Sequence, residues 1–97
     1  MMAAGGVAKL IEEMGELNQI LGKKLAYWHT DDHPDGQSIN DRLVEEMADV
    51  LAALHLVEVN LGLDSEAIQK RFKSKVNLFF GWHYATDNNT KGIDRAQ

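Results

Sequence analysis

Leu10-Ile11-Glu12-Glu13-Met14-Gly15-Glu16-Leu17 returns 33 positions later as Leu43-Val44-Glu45-Glu46-Met47-Ala48-Asp49-Val50. Five of the eight positions hold identical or similar apolar and small residues, and the other three are acidic in both copies. Acids at i and at i+3 or i+4 share one face of a helix, where like charges weaken it. One such set is ordinary surface decoration. Two sets, each embedded in an apolar stripe, predict two helices that face each other across a ring of carboxylate oxygens, with a cation inside it.

Outward from the first copy, Val7, Leu10, Ile11, Met14, Leu17, Leu21 and Leu25 recur at helical spacing and predict a helix from about Val7 to Trp28. Glu13 and Glu16 fall at the edge of that stripe and Glu12 lies further toward solvent, so the acids are expected to border the core without being sunk in it. Around the second copy, Ser38 or Asn40 is the expected cap of a helix running to about Leu61, with Gly62 as its stop. Its apolar face is read as Ile39, Leu43, Val50, Leu54, Val57 and Leu61, joined by Met47 and Leu51. Glu46 and Asp49 sit on the shoulder of that face, Glu45 lies further round, and His55 projects away. Between the two helices His29 to Ser38 crowds Asp, Pro and Gly and reads as a solvated connection, although its His and Asp side chains could in principle hold a metal. Asp64 or Ser65 is expected to cap a third helix from about Glu66 to Phe80, stopped by Gly81. The domain is expected to span 1–85, with 86–97 as a flexible tail.

Ninety-seven residues, 44% apolar and 26% charged, suit one ordinary globular domain, all-α and completed by oligomerisation as a homodimer or homotetramer. The absence of cysteine excludes disulfides and thiolate metal sites, and the expected compartment is cytoplasmic. No stretch resembles a signal peptide or a membrane span. A net charge of −5 argues against a nucleic-acid polymer held through its backbone. A small phosphorylated ligand stays open, because a bound metal reverses the local field.

Oxygen donors from two helices, without sulfur or an obligatory histidine, suit Mg²⁺ or Mn²⁺. Mg²⁺ commonly shares its shell with a substrate's phosphates, which points to phosphate-ester chemistry. Di-iron bundles need Glu-x-x-His pairs, and Glu13 and Glu46 are followed three positions on by Glu16 and Asp49 instead.

Glu12-Glu13-x-x-Glu16 followed by Glu46-x-x-Asp49 resembles the EExxE…ExxD signature of the MazG-like all-α nucleoside triphosphate pyrophosphohydrolases. The resemblance covers about Lys9 to His83, and the Gly81-Trp82-His83 ending looks like phage-type and integron-type members. The 29 residues between Glu16 and Glu46 exceed the family's usual gap and predict an extended loop. The resemblance implies a MazG-like helical bundle that hydrolyses a (deoxy)nucleoside triphosphate to the monophosphate and pyrophosphate, with dGTP or dATP as substrates in phage relatives. It implies Glu13, Glu16, Glu46 and Asp49 as metal ligands and Glu12 as the residue that orients or deprotonates the attacking water. It also implies a lysine and an asparagine of the last helix at the phosphates; Lys73 and Asn77 fit, with Lys75 as a rival. Trp28, with Tyr27, is a candidate for stacking on a base, or else closes a bundle end or an interface. Two other readings compete: phosphoribosyl-ATP pyrophosphohydrolase, which shares the carboxylate pattern, and a non-catalytic helical oligomerisation module.

Overall fold

The computed structural model describes residues 3–31 and 36–91, with side chains over 4–31 and 36–85. An N-terminal turn over Ala3–Gly6 leads into α1 (Val7–Ala26), followed by α2 (Ile39–Leu61) and α3 (Ser65–Lys91). The described chain is all-α. The chain divides into two units, residues 1–63 and 64–97. No helix of the described residues is long and apolar enough to cross a membrane.

In the first unit α1 and α2 pack against each other, and the N-terminal turn packs on both. The two helices run antiparallel: Gly5 meets Asn60 at one end and Asp31 meets Ser38 at the other. The seam between them is narrow. Ile20, Ile39 and Ala53 are its buried apolar residues, at 2%, 1% and 5% exposure, and Glu13 is buried among them at 7%. At roughly 100° per residue, positions seven apart lie within about 20° of one another on a helix. The buried residues follow that interval: Gly6, just before α1, with Glu13 and Ile20 on it, and Ile39, the half-buried Glu46 and Ala53 on α2.

This rotates the core away from the expected stripe. Ile11, Met14, Leu21 and Leu25 on α1, and Val44, Met47, Leu51, Leu54 and Leu61 on α2, are all exposed. The reason is that each helix carries apolar residues over a wide arc, and α1 and α2 bury only one margin of it against each other. That margin holds the glutamates. The expectation that the acids merely border the core is therefore corrected for Glu13.

The ends of the unit are pinned by identifiable contacts. Gly6 has φ +90°, and a Cβ there would lie 2.8 Å from Leu56 Cδ2; Gly5, at φ +63°, has Leu61 Cδ2 equally close at 2.9 Å. Only glycine lets the turn lie this tightly on α2 in this backbone region. Asn60 Nδ2 donates to the Gly5 carbonyl at 3.3 Å, fixing the turn where α1 begins. At the other end Ser38 caps α2, its hydroxyl accepting from the Asp41 N–H at 3.1 Å. Asp31 accepts from the Ser38 hydroxyl, from the Asn40 N–H at 2.6 Å, and through its own carbonyl from the Ile39 N–H at 2.7 Å. The Ser38 hydrogen bond, then the Asn40 N–H and the charge of Lys24, hold the Asp31 carboxyl below its ordinary range. Asp31 thus clips the base of a connection that the sequence reads as solvated. Asp32, His33, Pro34 and Asp35 lie outside the described residues.

Gly62 ends α2 in the left-handed conformation, as expected. In the second unit the Asp64 carboxylate accepts from the Ala67 N–H at 3.0 Å and caps α3. α3 does not stop at Gly81 but continues to Lys91, into the stretch assigned to the tail. A single glycine costs a helix only about 1 kcal/mol, and ring pairs span this one: Phe79 with Trp82 at 5.6 Å and Phe80 with Tyr84 at 6.0 Å. Residues 92–97 lie outside the described residues.

Candidate metal centre

The repeat places Glu13 and Glu46 at matching positions of two antiparallel helices, so both point into the seam. Glu16, one turn on from Glu13, lies beside them at its solvent edge. One carboxylate oxygen from each of Glu13, Glu16 and Glu46 lies within 4.8 Å of the others. Three of the four expected ligands are therefore brought together, from two helices and from both copies of the repeat.

Asp49 stands next to this group and outside it. With Lys9, Glu13, Ala52, Ala53 and Leu56 it lines a cavity of 380 Å³ that adjoins the cluster through Glu13. Aspartate is one methylene shorter than glutamate, and from the equivalent of the Glu16 position it reaches the cavity wall.

The electrostatics are those of crowded anions. The charge of Glu13, followed by desolvation and the charges of Glu46 and Glu12, raises the Glu16 carboxyl above its ordinary range, with Lys9 opposing. Inside the seam, Glu13 Oε1 and Glu46 Oε1 are buried and have no hydrogen-bond partner. A buried carboxylate oxygen without a partner is costly, and such groups are paired or bind metals. A hard divalent cation fits this donor set, which is all oxygen, anionic, drawn from more than one element, and open to solvent on the Glu16 side.

Glu12 lies one helical position away from Glu13 and faces out of the seam, with 58% of its side chain exposed. Glu45, its counterpart in the second copy, is exposed as well.

Lys9 was not singled out from the sequence. Its ammonium bridges Glu12 Oε1 at 3.0 Å and Glu13 Oε2 at 2.9 Å, and these two bonds raise its pKa above the usual lysine value. The available signal was its spacing, since a lysine at i pairs readily with glutamates at i+3 and i+4.

Of the proposed substrate contacts, Trp28 belongs to the first unit and Lys73, Asn77 and Lys75 to the second. Trp28 follows the end of α1, is 63% exposed, and has the Lys24 ammonium 5.6 Å from its ring centroid. The helical rise sets the end of α1, at Ala26, roughly 15 Å along the axis from Glu16. Within α3, Lys73 and Asn77 are exposed and one turn apart, and Lys75, on a different face, is half-buried with its ammonium 6.0 Å from the Phe79 ring. Comparison of the chain with protein-family models, curated proteins and solved structures gives no match. Any functional reading rests on the residues themselves.

Proposed function

We propose that the chain is a metal-dependent nucleotide pyrophosphohydrolase that converts a (deoxy)nucleoside triphosphate to the monophosphate and pyrophosphate. The observation that carries the reading is the convergence of Glu13, Glu16 and Glu46, two of them with a buried carboxylate oxygen left unpartnered. The MazG-like signature supplies the reaction class, and the oxygen-only donor set supports Mg²⁺ or Mn²⁺ as the cofactor.

Glu13, Glu16 and Glu46 would hold the cation, and the ligand role of Asp49, on the adjoining cavity wall, rests on the resemblance alone. A divalent ion bound there supplies neutralisation of phosphate charge and a lowered pKa for water. The chain's own contributions are then distinct. Glu13 and Glu46 are fixed by packing between the helices, so the site is preorganised on rigid elements. Glu12, exposed at the rim, takes a proton from the attacking water, as general bases do when placed within reach of it. The phosphate-contacting role of Lys73 and Asn77, with Lys75 as their rival, rests on the resemblance alone, as does base stacking by Trp28.

The active form is read as a homodimer or homotetramer. Exposed Met14, Leu21, Met47, Leu51 and Leu54 support this, because apolar surface of that extent on a small unit usually marks an interface.

The test is a panel of nucleoside triphosphates, deoxynucleoside triphosphates (dGTP and dATP included) and phosphoribosyl-ATP with Mg²⁺ or Mn²⁺, scored for pyrophosphate release. Turnover of a triphosphate that chelation abolishes is the expected result. Turnover of phosphoribosyl-ATP alone would move the chain to that substrate. No release from any member, at a metal concentration that stabilises the fold, would end the catalytic reading.

A further inference from the structure

The carboxylate cluster already has a cationic partner within the chain. The Lys9 ammonium sits 2.9 Å from Glu13 Oε2 and 3.0 Å from Glu12 Oε1, joining the buried acid to the exposed one. The Glu13 side chain is only 9% exposed, whereas that of Lys9 is 45% exposed. One oxygen of Glu13 is therefore satisfied by Lys9 while the other, Oε1, is buried without a partner. The two oxygens of one carboxylate thus have different surroundings, one toward Lys9 and one unpaired.

We propose that Lys9 is a resident counter-ion of the cluster, which pairs with Glu13 in the metal-free fold and is exchanged when a divalent cation arrives. The inference rests on the reading of Glu13, Glu16 and Glu46 as a metal site. Three reasons make exchange the natural outcome. A buried carboxylate needs a partner, and losing that partner is strongly destabilising. A lysine ammonium is a compact, well-hydrated charge on a flexible four-carbon stem, so it can release into water by rotating its own side chain. A divalent cation on Glu13 also repels an ammonium about 3 Å from the same carboxylate. Lys9 therefore favours the metal-free fold and competes with the metal. A lysine that merely aligned Glu13 would help the metal instead, and the two roles predict opposite signs.

The experiment is Mn²⁺ binding by calorimetry without nucleotide on wild type, Lys9→Met and Lys9→Arg, with thermal unfolding of each in chelator and in saturating Mn²⁺. Removing the competing charge should tighten Mn²⁺ binding by about twofold to fivefold, the usual worth of partly exposed ion pairs. The Lys9→Met protein should unfold at a lower temperature than wild type in chelator and gain more from Mn²⁺ than wild type does. Lys9→Arg, which keeps the charge, should stay near wild type in both measurements. Should Lys9→Met fail to fold without metal, Lys9→Gln keeps a donor for Glu13 without the charge and should bind Mn²⁺ more tightly than wild type. Equal or weaker Mn²⁺ binding by the uncharged variants, with wild type binding normally, would overturn the exchange and leave the metal site standing. A folded wild type that takes up no Mn²⁺ would remove both.

Discussion

Replacing Glu46 by Gln removes one charge from a group of three carboxylates whose oxygens lie within 4.8 Å of one another. For the Glu13–Glu46 pair alone, that separation at an effective dielectric near 20 corresponds to a repulsion of about 3 kcal/mol. Water at the open side of the site screens part of it, leaving on the order of 1–2 kcal/mol. The amide that replaces the carboxylate also brings an N–H donor to the seam, where Glu13 Oε1 has no partner. Glu46→Gln should therefore stabilise the metal-free protein by about 1–2 kcal/mol. For a unit of this size each kcal/mol moves Tm by roughly 4–8 °C. Saturating Mg²⁺ should reverse the order, because wild type at a hundredfold excess over its Kd gains about 2.7 kcal/mol and the variant loses most of that gain along with turnover. The assay is helical circular dichroism against temperature, with chelator and with Mg²⁺, on both proteins. A variant that melts below wild type in chelator, or that gains as much from Mg²⁺, would show that Glu46 is an ordinary seam residue and not a ligand.

Further outcomes follow from other contacts. Glu12→Gln should lose about 10²–10⁴-fold in kcat, the usual worth of a general base, with metal affinity nearly unchanged, whereas Glu45→Gln should be mild; equal losses in the two variants would remove the distinction between them. Gly6→Ala forces a Cβ to within 2.8 Å of Leu56 Cδ2 at φ +90° and should cost about 1–3 kcal/mol of stability, read by denaturant melts, while Gly15→Ala, with open space around its Cβ, should not destabilise. The Asp31 carboxyl is held below its ordinary range, so its contribution is present above the unfolded-state pKa and is lost as pH falls through the folded value. Stability of wild type should accordingly drop on the acid side of pH 4 by more than that of Asp31→Asn, and parallel acid limbs would show that the clip contributes nothing.

The division between what the chain spells out and what folding adds runs through particular residues. α2 was legible almost to the residue, because Ser38 and Gly62 have side-chain and backbone properties that act locally. The extension of α3 past Gly81 was not, because one glycine is a weak local penalty that the aromatic pairs around it outweigh. The repeat of Glu-Glu-x-x-acid on two apolar helices was enough to predict that acids from both copies would meet, since helical spacing alone puts Glu13 and Glu46 at equivalent positions. Periodicity cannot say which margin of a wide apolar arc is buried. That choice belongs to the helix–helix contact, which selected Ile20 and Ala53 and left Leu25 and Leu51 exposed. The same contact buried Glu13, grouped it with Glu16 and Glu46, and left Asp49 on the adjoining cavity wall. The sequence by itself determined the residue types and their order along each helix, because those follow from local geometry. Which oxygens converge and which stay unpaired was decided only by tertiary structure, because it depends on the rotation of one helix against another.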